Sequence, residues 1–230
     1  MLREIRDFIR FEASHGARVL FADLISVNLS WGQDDAISAI LDCARRNRMR
    51  FTFFVSAKTV AKRISVVRQM MKGGHEIASH GYSHVLYERL EPAAIRSEFE
   101  IAAAEFSRHG ITVRGFRPPF LSCREEVIKM LPDYGFSYIS SEIGGKSRLY
   151  ANRVMQVPVV KPYDWQGMRV EGKSMDELIR AWGQIDGSCL LFHPWIMKKY
   201  VEAIPRILEK GRDYRISGNL NGPAASFDVY

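Results

Sequence analysis

Two histidines four residues apart, His80 and His84, close the stretch Gly74-His75-Glu76-Ile77-Ala78-Ser79-His80-Gly81-Tyr82-Ser83-His84. Neutral imidazole is the commonest nitrogen ligand of zinc-like ions, and a pair at i and i+4 converges where the chain turns helically. The apolar residues before them read as a short buried strand that runs out into a loop carrying both rings. A metal site needs at least a third ligand, and a bare pair at this spacing also fits two surface loop histidines. Asp34 or Asp35 could bring the missing oxygen. Both stand at the start of a helical pattern through Ile37, Ile40 and Leu41, where a carboxylate also caps free N–H groups and complements the helix dipole.

Other groups suit proton transfer. Arg18-Val19-Leu20-Phe21-Ala22-Asp23 is an apolar run ending in a carboxylate, and Cys189-Leu190-Leu191-Phe192-His193 ends in an imidazole. Runs of this kind read as parallel strands buried on both faces, and ligand-bearing loops leave such strands at their C-terminal ends. Amide hydrolysis needs an activated water, stabilisation of a developing oxyanion and an acid for the leaving amine. Asp23 is placed as the base, Arg117 as the cation that keeps it ionised, and His193 as the acid. Pro118-Pro119 stiffens the loop that aims Arg117. Trp31, Tyr82, Phe120 and Trp195 are candidates to wall a substrate pocket, although aromatic residues also build cores. Cys123 has no basic neighbour but Arg124, which argues against a cysteine nucleophile.

The stretch around His80 and His84, Arg114-Gly115-Phe116-Arg117-Pro118-Pro119-Phe120, Leu190-Leu191-Phe192-His193 and Thr52-Phe53-Phe54-Val55 resemble, in order, motifs of the polysaccharide deacetylase family, the NodB-like carbohydrate esterases. The resemblance covers about residues 18 to 195. It implies an α/β fold, an irregular (β/α) barrel with fewer than eight strands. It also implies hydrolysis of linear amide C–N bonds, an N-deacetylase-like reaction on an acylated amino sugar or related amide. The family's first motif, Thr-Phe-Asp-Asp-Gly, supplies a catalytic base and then a metal-binding carboxylate. Here the register gives Phe21-Ala22-Asp23-Leu24-Ile25, which keeps the base as Asp23 and puts Leu24 in the ligand position. A zinc-like ion on His80 and His84 is therefore held incompletely unless Asp34 or Asp35 folds over it. The resemblance further assigns an acidic residue to orient His193, and the register from Gly135-Phe136 reaches Glu142, without the Asp-Trp ending usual there. Two other readings stand beside the leading one. One is a metal-independent amidohydrolase of the same fold acting on a small cyclic amide, and the other is a pseudoenzyme that binds a glycan or partner without turnover.

The elements that must position these groups alternate. Leu2, Ile5, Phe8 and Ile9 recur at helical spacing, so residues 1–14 read as an amphipathic helix plugging one end of the core. Strands at 51–55 and 75–78, and later near 113–117, 135–139, 154–160 and 188–192, alternate with helices at 60–71, 92–108, after 122 and near 199–210, with a capping box at Ser174-Met175-Asp176-Glu177. With 230 residues and 47% apolar content, one domain over 1–230 is expected, with 217–230 as loop or tail. The net charge of +7 and pI near 9.4 spread over helical faces instead of forming a block, so no nucleic-acid partner is expected. Cys43, Cys123 and Cys189 are odd in number and far apart, which suits reduced thiols. Neither a signal-peptide core nor a membrane-length apolar run is present, which points to the cytoplasm and to no membrane partner.

Overall fold

A computed structural model of the chain describes residues 2–16, 33–182, 188–209, 211–218 and 224–230. Asp23, Leu24 and Trp31 lie outside the described residues, and so does the strand expected at 18–24.

Helix α1 (Leu2–Ser14) precedes α2 (Gln33–Asn47), and the barrel rhythm then begins. It runs β1 (Thr52–Val55), α3 (Ala57–Lys72), β2 (Glu76–Ser79), α4 (Pro92–Arg108), β3 (Gly115–Phe116), α5 (Glu125–Met130) and β4 (Tyr138–Ile139). The antiparallel pair β5 (Arg148–Leu149) and β6 (Met155–Gln156) follows, then α6 (Met175–Ala181), β7 (Cys189–Phe192), the short α7 (Pro194–Met197) and α8 (Ile204–Ile207), and finally β8 (Ala224–Val229). These strands form one sheet in the order β5-β6-β4-β3-β2-β1-β8-β7. Seven of the eight run parallel, and β5 is an antiparallel edge. Beyond β6 the chain meets β7: Cys189 N donates to Pro158 O (2.8 Å) and Val160 N to Cys189 O (3.0 Å), which curls the sheet toward closure. Among the described residues the sheet holds eight strands, seven of them parallel, against the expected count of fewer than eight.

Period-two alternation divides each central strand between two cores. Phe53, Val55, Ala225, Phe227 and Val229 pack outward against helices with Ile37, Val60, Leu190 and Phe192. Phe54, Ala78, Tyr138, Val157, Cys189 and Ala224 fill the inside of the curl. The expected C-terminal tail is corrected here: Ala224–Val229 is buried at every position and hydrogen-bonds between β1 and β7 at the centre of the sheet. Its six residues are too short for a periodicity to register, and Gly and Pro before them read as turns.

Local signals set the helices. Ser174 accepts from Glu177 N and Glu177 returns to Ser174 N, a complete capping box worth about 1 kcal/mol. Pro92 opens α4 at a position where a missing N–H costs nothing. The helix expected near 199–210 is shorter than its pattern, reduced to a 3-10 turn at Val201–Ala203 and to α8. In α1, Phe8 and Phe11 face the protein while Ile9 is exposed, so its inward face differs from the expected one. No helix among the described residues is long and apolar enough to cross a membrane.

Candidate active site

The strand ends on one side of the sheet gather the histidines. His80 follows β2 directly and is 1% exposed. Its Nδ1 lies 2.8 Å from the carbonyl oxygen of Arg117; a carbonyl only accepts, so Nδ1 carries the proton and Nε2 the lone pair. Nε2 is buried and has no hydrogen-bond partner among the described residues. His84 lies with its ring centroid 5.2 Å from that of His80, stacked on Tyr230 (4.0 Å) and edge-on to Phe120 (4.5 Å). The loop between the rings is not helical; it is pinned by Glu98 of α4, which accepts from Tyr82 N (3.2 Å), Ser83 N (3.0 Å) and Ser83 Oγ (2.7 Å). Gly81 turns this loop at φ +78, and a Cβ there would come within 2.5 Å of Tyr87 Oη. Burial lowers the pKa of both imidazoles, and the other histidines push His84 further down, so both rings stay neutral.

Arg117, after β3, is fully buried and ties four strands together. Its Nη1 donates to Ser226 Oγ and to Asp228 Oδ1, both at 2.8 Å, while Nη2 donates to Ser140 Oγ (2.7 Å) and Nε to Ser140 O (3.3 Å). The guanidinium also lies over the Phe54 ring at 4.1 Å. Burial works against its charge, and Asp228 opposite more than restores it. The carboxylate expected beside Arg117 was Asp23; among the described residues that place belongs to Asp228 on β8. The sequence carried a signal for this. Ser226-Phe227-Asp228-Val229-Tyr230 resembles Thr-Phe-Asp-Asp-Gly in its first three residues, with Asp228 in the position of the base.

His193 follows β7 and is clamped by Asp164: Nδ1 to Oδ1 is 2.7 Å, and the His193 backbone N donates to Oδ2 at 2.6 Å. Asp164 is fully buried and also accepts from Trp165 N (2.7 Å). Glu142, the residue expected to orient His193, is turned outward instead, bound to Arg148 and to Tyr150 Oη (3.1 Å). Asp164-Trp165 resembles the Asp-Trp ending absent after Glu142, and a register counted forward from β4 stops short of it.

His193, Asp228, His84, Phe120, Trp195 and Tyr230 line one narrow cleft of about 40 Å³, room for a few waters, walled also by Phe8, Phe11 and Glu12 of α1. Phe11 packs on Phe120 (4.7 Å) and Trp165 (5.5 Å). Phe120 holds φ +60 and Leu121 φ +55, conformations that side chains of this size adopt only when their surroundings impose them. Tyr82 is not among the lining residues and packs against the main core. Burial pushes the Cys123 thiol up to about 12, so it is no nucleophile.

Among the described residues, the metal implied by the resemblance does not find a full set of ligands. His80 and His84 offer two nitrogens, with the orphaned Nε2 of His80 suited to a cation, but no three His, Cys, Asp or Glu among the described residues group to hold one. Asp34 is corrected as the third ligand: at the start of α2 it pairs with Arg63 Nη1 at 2.8 Å, and Asp35 lies 3.9 Å from Lys198. In the C-terminal pattern the metal-carboxylate position is Val229, which is buried against the helices.

Comparison with known proteins agrees with this architecture. A bifunctional xylanase/deacetylase of Pseudobutyrivibrio xylanivorans is 30% identical over 189 residues, 81% of this chain and 28% of the relative. The matched stretches span between 27% and 37% of the curated relatives' lengths. A family 4 carbohydrate esterase from Streptomyces lividans, solved with acetate, shares the fold at TM-score 0.58 and 23% identity, covering 82% of this chain and 84% of that one. A CE4-family pseudoenzyme from Bacillus anthracis superposes at TM-score 0.62 and 17% identity, covering 86% of this chain and 66% of its own. The family model for polysaccharide deacetylases matches residues 24–139, and with the barrel and its strand-end histidines this chain belongs to the polysaccharide deacetylase family.

Proposed function

We propose that the chain is an N-deacetylase-like hydrolase that cleaves the linear amide of an acylated amino sugar, with Asp228 and His193 as its acid–base pair. One observation carries the reading: two charge-assisted pairs, Arg117–Asp228 (2.8 Å) and His193–Asp164 (2.7 Å), sit at the C-terminal ends of neighbouring parallel strands, and one member of each lines the same cleft. Asp228, held in place by the Arg117 guanidinium, takes a proton from water as the water oxygen attacks the acyl carbon. Nδ1 of His193 is committed to Asp164, so Nε2 is the atom that protonates the nitrogen as the C–N bond breaks, releasing carboxylic acid and amine. Among the described residues the side chains grouped to hold a metal stop at His80 and His84.

The incomplete ligand set favours one second reading, a glycan-binding pseudoenzyme. Acetate release from an N-acetylated chitooligosaccharide separates the two. Release by the wild type that is lost in both Asp228→Asn and His193→Ala supports hydrolysis. Saturable binding of the oligosaccharide with no acetate released supports the pseudoenzyme.

A further inference from the structure

The opposite end of the strands carries a second feature that the hydrolytic reading leaves unused. A cavity of about 800 Å³ opens there between the C-terminal ends of α2 and α3 and the segment 211–213. Five cations line it, Arg45, Arg48, Arg50, Lys72 and Arg212, against two carboxylates, Asp42 and Asp213. Asp213 is held by Arg215 (2.5 Å) and lies 3.9 Å from Arg50, Arg212 pairs with Glu209 (2.6 Å), and Arg48 and Lys72 have no ion pair among the described residues. Cations in the last turn of a helix complement its dipole, which accounts for Arg45 and Lys72. It does not account for Arg48, Arg50 or Arg212, which lie outside the helices.

Arg48 is held in a conformation that disfavours it. Arg48 N donates to Arg45 O (3.3 Å) and Met49 N to Ala44 O (2.9 Å), a complete Schellman closure of α2 with Arg48 at the left-handed position, φ +53. Glycine is the usual residue there, because a side chain at that φ strains the backbone. Strained residues of this kind collect at functional sites. On the cavity floor, His75 Nδ1 accepts from Phe51 N (3.1 Å), which assigns its proton to Nε2. Burial, then Arg215 and Arg50, lower its pKa to about 4, a sign of the positive field in the cavity.

From these observations we infer that the cavity at the N-terminal end of the strands binds a phosphate-bearing ligand, with Arg48 and Lys72 as its free cations and Arg50 and Arg212 completing the ring. Four of the five cations are arginines, whose planar forks match phosphate oxygens two at a time. The ligand is either a small phosphate compound or an inorganic polyphosphate chain, and two probes distinguish these sources. The test is calorimetric titration of the full chain with inorganic pyrophosphate and with polyphosphate at low salt. Arg48→Gly relieves the backbone strain, so it should raise Tm while weakening pyrophosphate binding at least tenfold. Arg48→Lys and Lys72→Ala should weaken it by less and by a similar factor, respectively. Polyphosphate binding much tighter per site than pyrophosphate points to the polymer; equal affinity points to the small ligand. The inference is overturned by no pyrophosphate binding by the wild type, by affinity unchanged in Arg48→Gly, or by an equal loss in Arg46→Ala, which removes the same charge outside the cavity. Tighter binding of an RNA oligonucleotide than of polyphosphate of equal charge also overturns it in favour of a nucleic-acid surface.

Discussion

Removing the carboxylate of Asp228 is the sharpest test of how the barrel interior is held. Arg117 is fully buried and Asp228 nearly so, and they meet at 2.8 Å. Taking one partner from a buried ion pair leaves an uncompensated charge and costs about 3–5 kcal/mol. Ser226 and Ser140 still accept three of the guanidinium's hydrogen bonds in Asp228→Ala, so the lower end, about 3 kcal/mol, is expected. For a chain of this size that is a Tm lower by roughly 6–12 °C. Asp228→Asn keeps an acceptor oxygen and loses the charge, for about 1–2 kcal/mol. Arg117→Met with Asp228→Ala removes both charges and should recover part of the loss, because a buried pair replaced by apolar groups is often neutral. Urea unfolding with unchanged m-values measures all three. An Asp228→Ala cost below about 1 kcal/mol, with a larger cost for Asp23→Ala, refutes the reasoning and gives the Arg117 partnership to Asp23.

Three further outcomes follow from the same geometry. Asp164→Asn should lower turnover roughly a hundredfold with little change in KM, because the amide leaves His193 in the wrong tautomer; a pH–rate profile and kcat against KM on an N-acetylated oligosaccharide check it. Zinc titration should show weak binding by the wild type, abolished in His80→Ala and unchanged in Asp34→Ala, and tight stoichiometric binding would mean that a ligand outside the described residues completes the site. His75 has its pKa lowered from 6.5 to about 4, so between these values the unfolded chain binds more protons than the folded one. Stability is therefore full above pH 6.5 and falls as the pH drops toward 4, by about 3 kcal/mol at most, a slope that His75→Gln should remove from Tm measured against pH.

The sequence by itself determined the family, the alternating α/β architecture and four of the groups around the cleft. His80, Arg117 and His193 each follow a short apolar strand directly, with His84 four residues past His80 in the same loop, and a residue one step beyond a buried parallel strand has only one end of the barrel to occupy. The capping box at Ser174 and the helix at Pro92 were legible for a similar reason, since their signals are local. What only the tertiary structure decided are the partners. Arg117 meets Asp228 across more than a hundred residues, and His193 meets Asp164 instead of Glu142, because pairing across a barrel depends on strand order and inward alternation, which no local pattern carries. The same holds for β8. Ala-Ala-Ser-Phe-Asp-Val has no period to announce a strand, and it becomes one because β1 and β7 leave unpaired backbone groups on either side that a buried neighbour must satisfy.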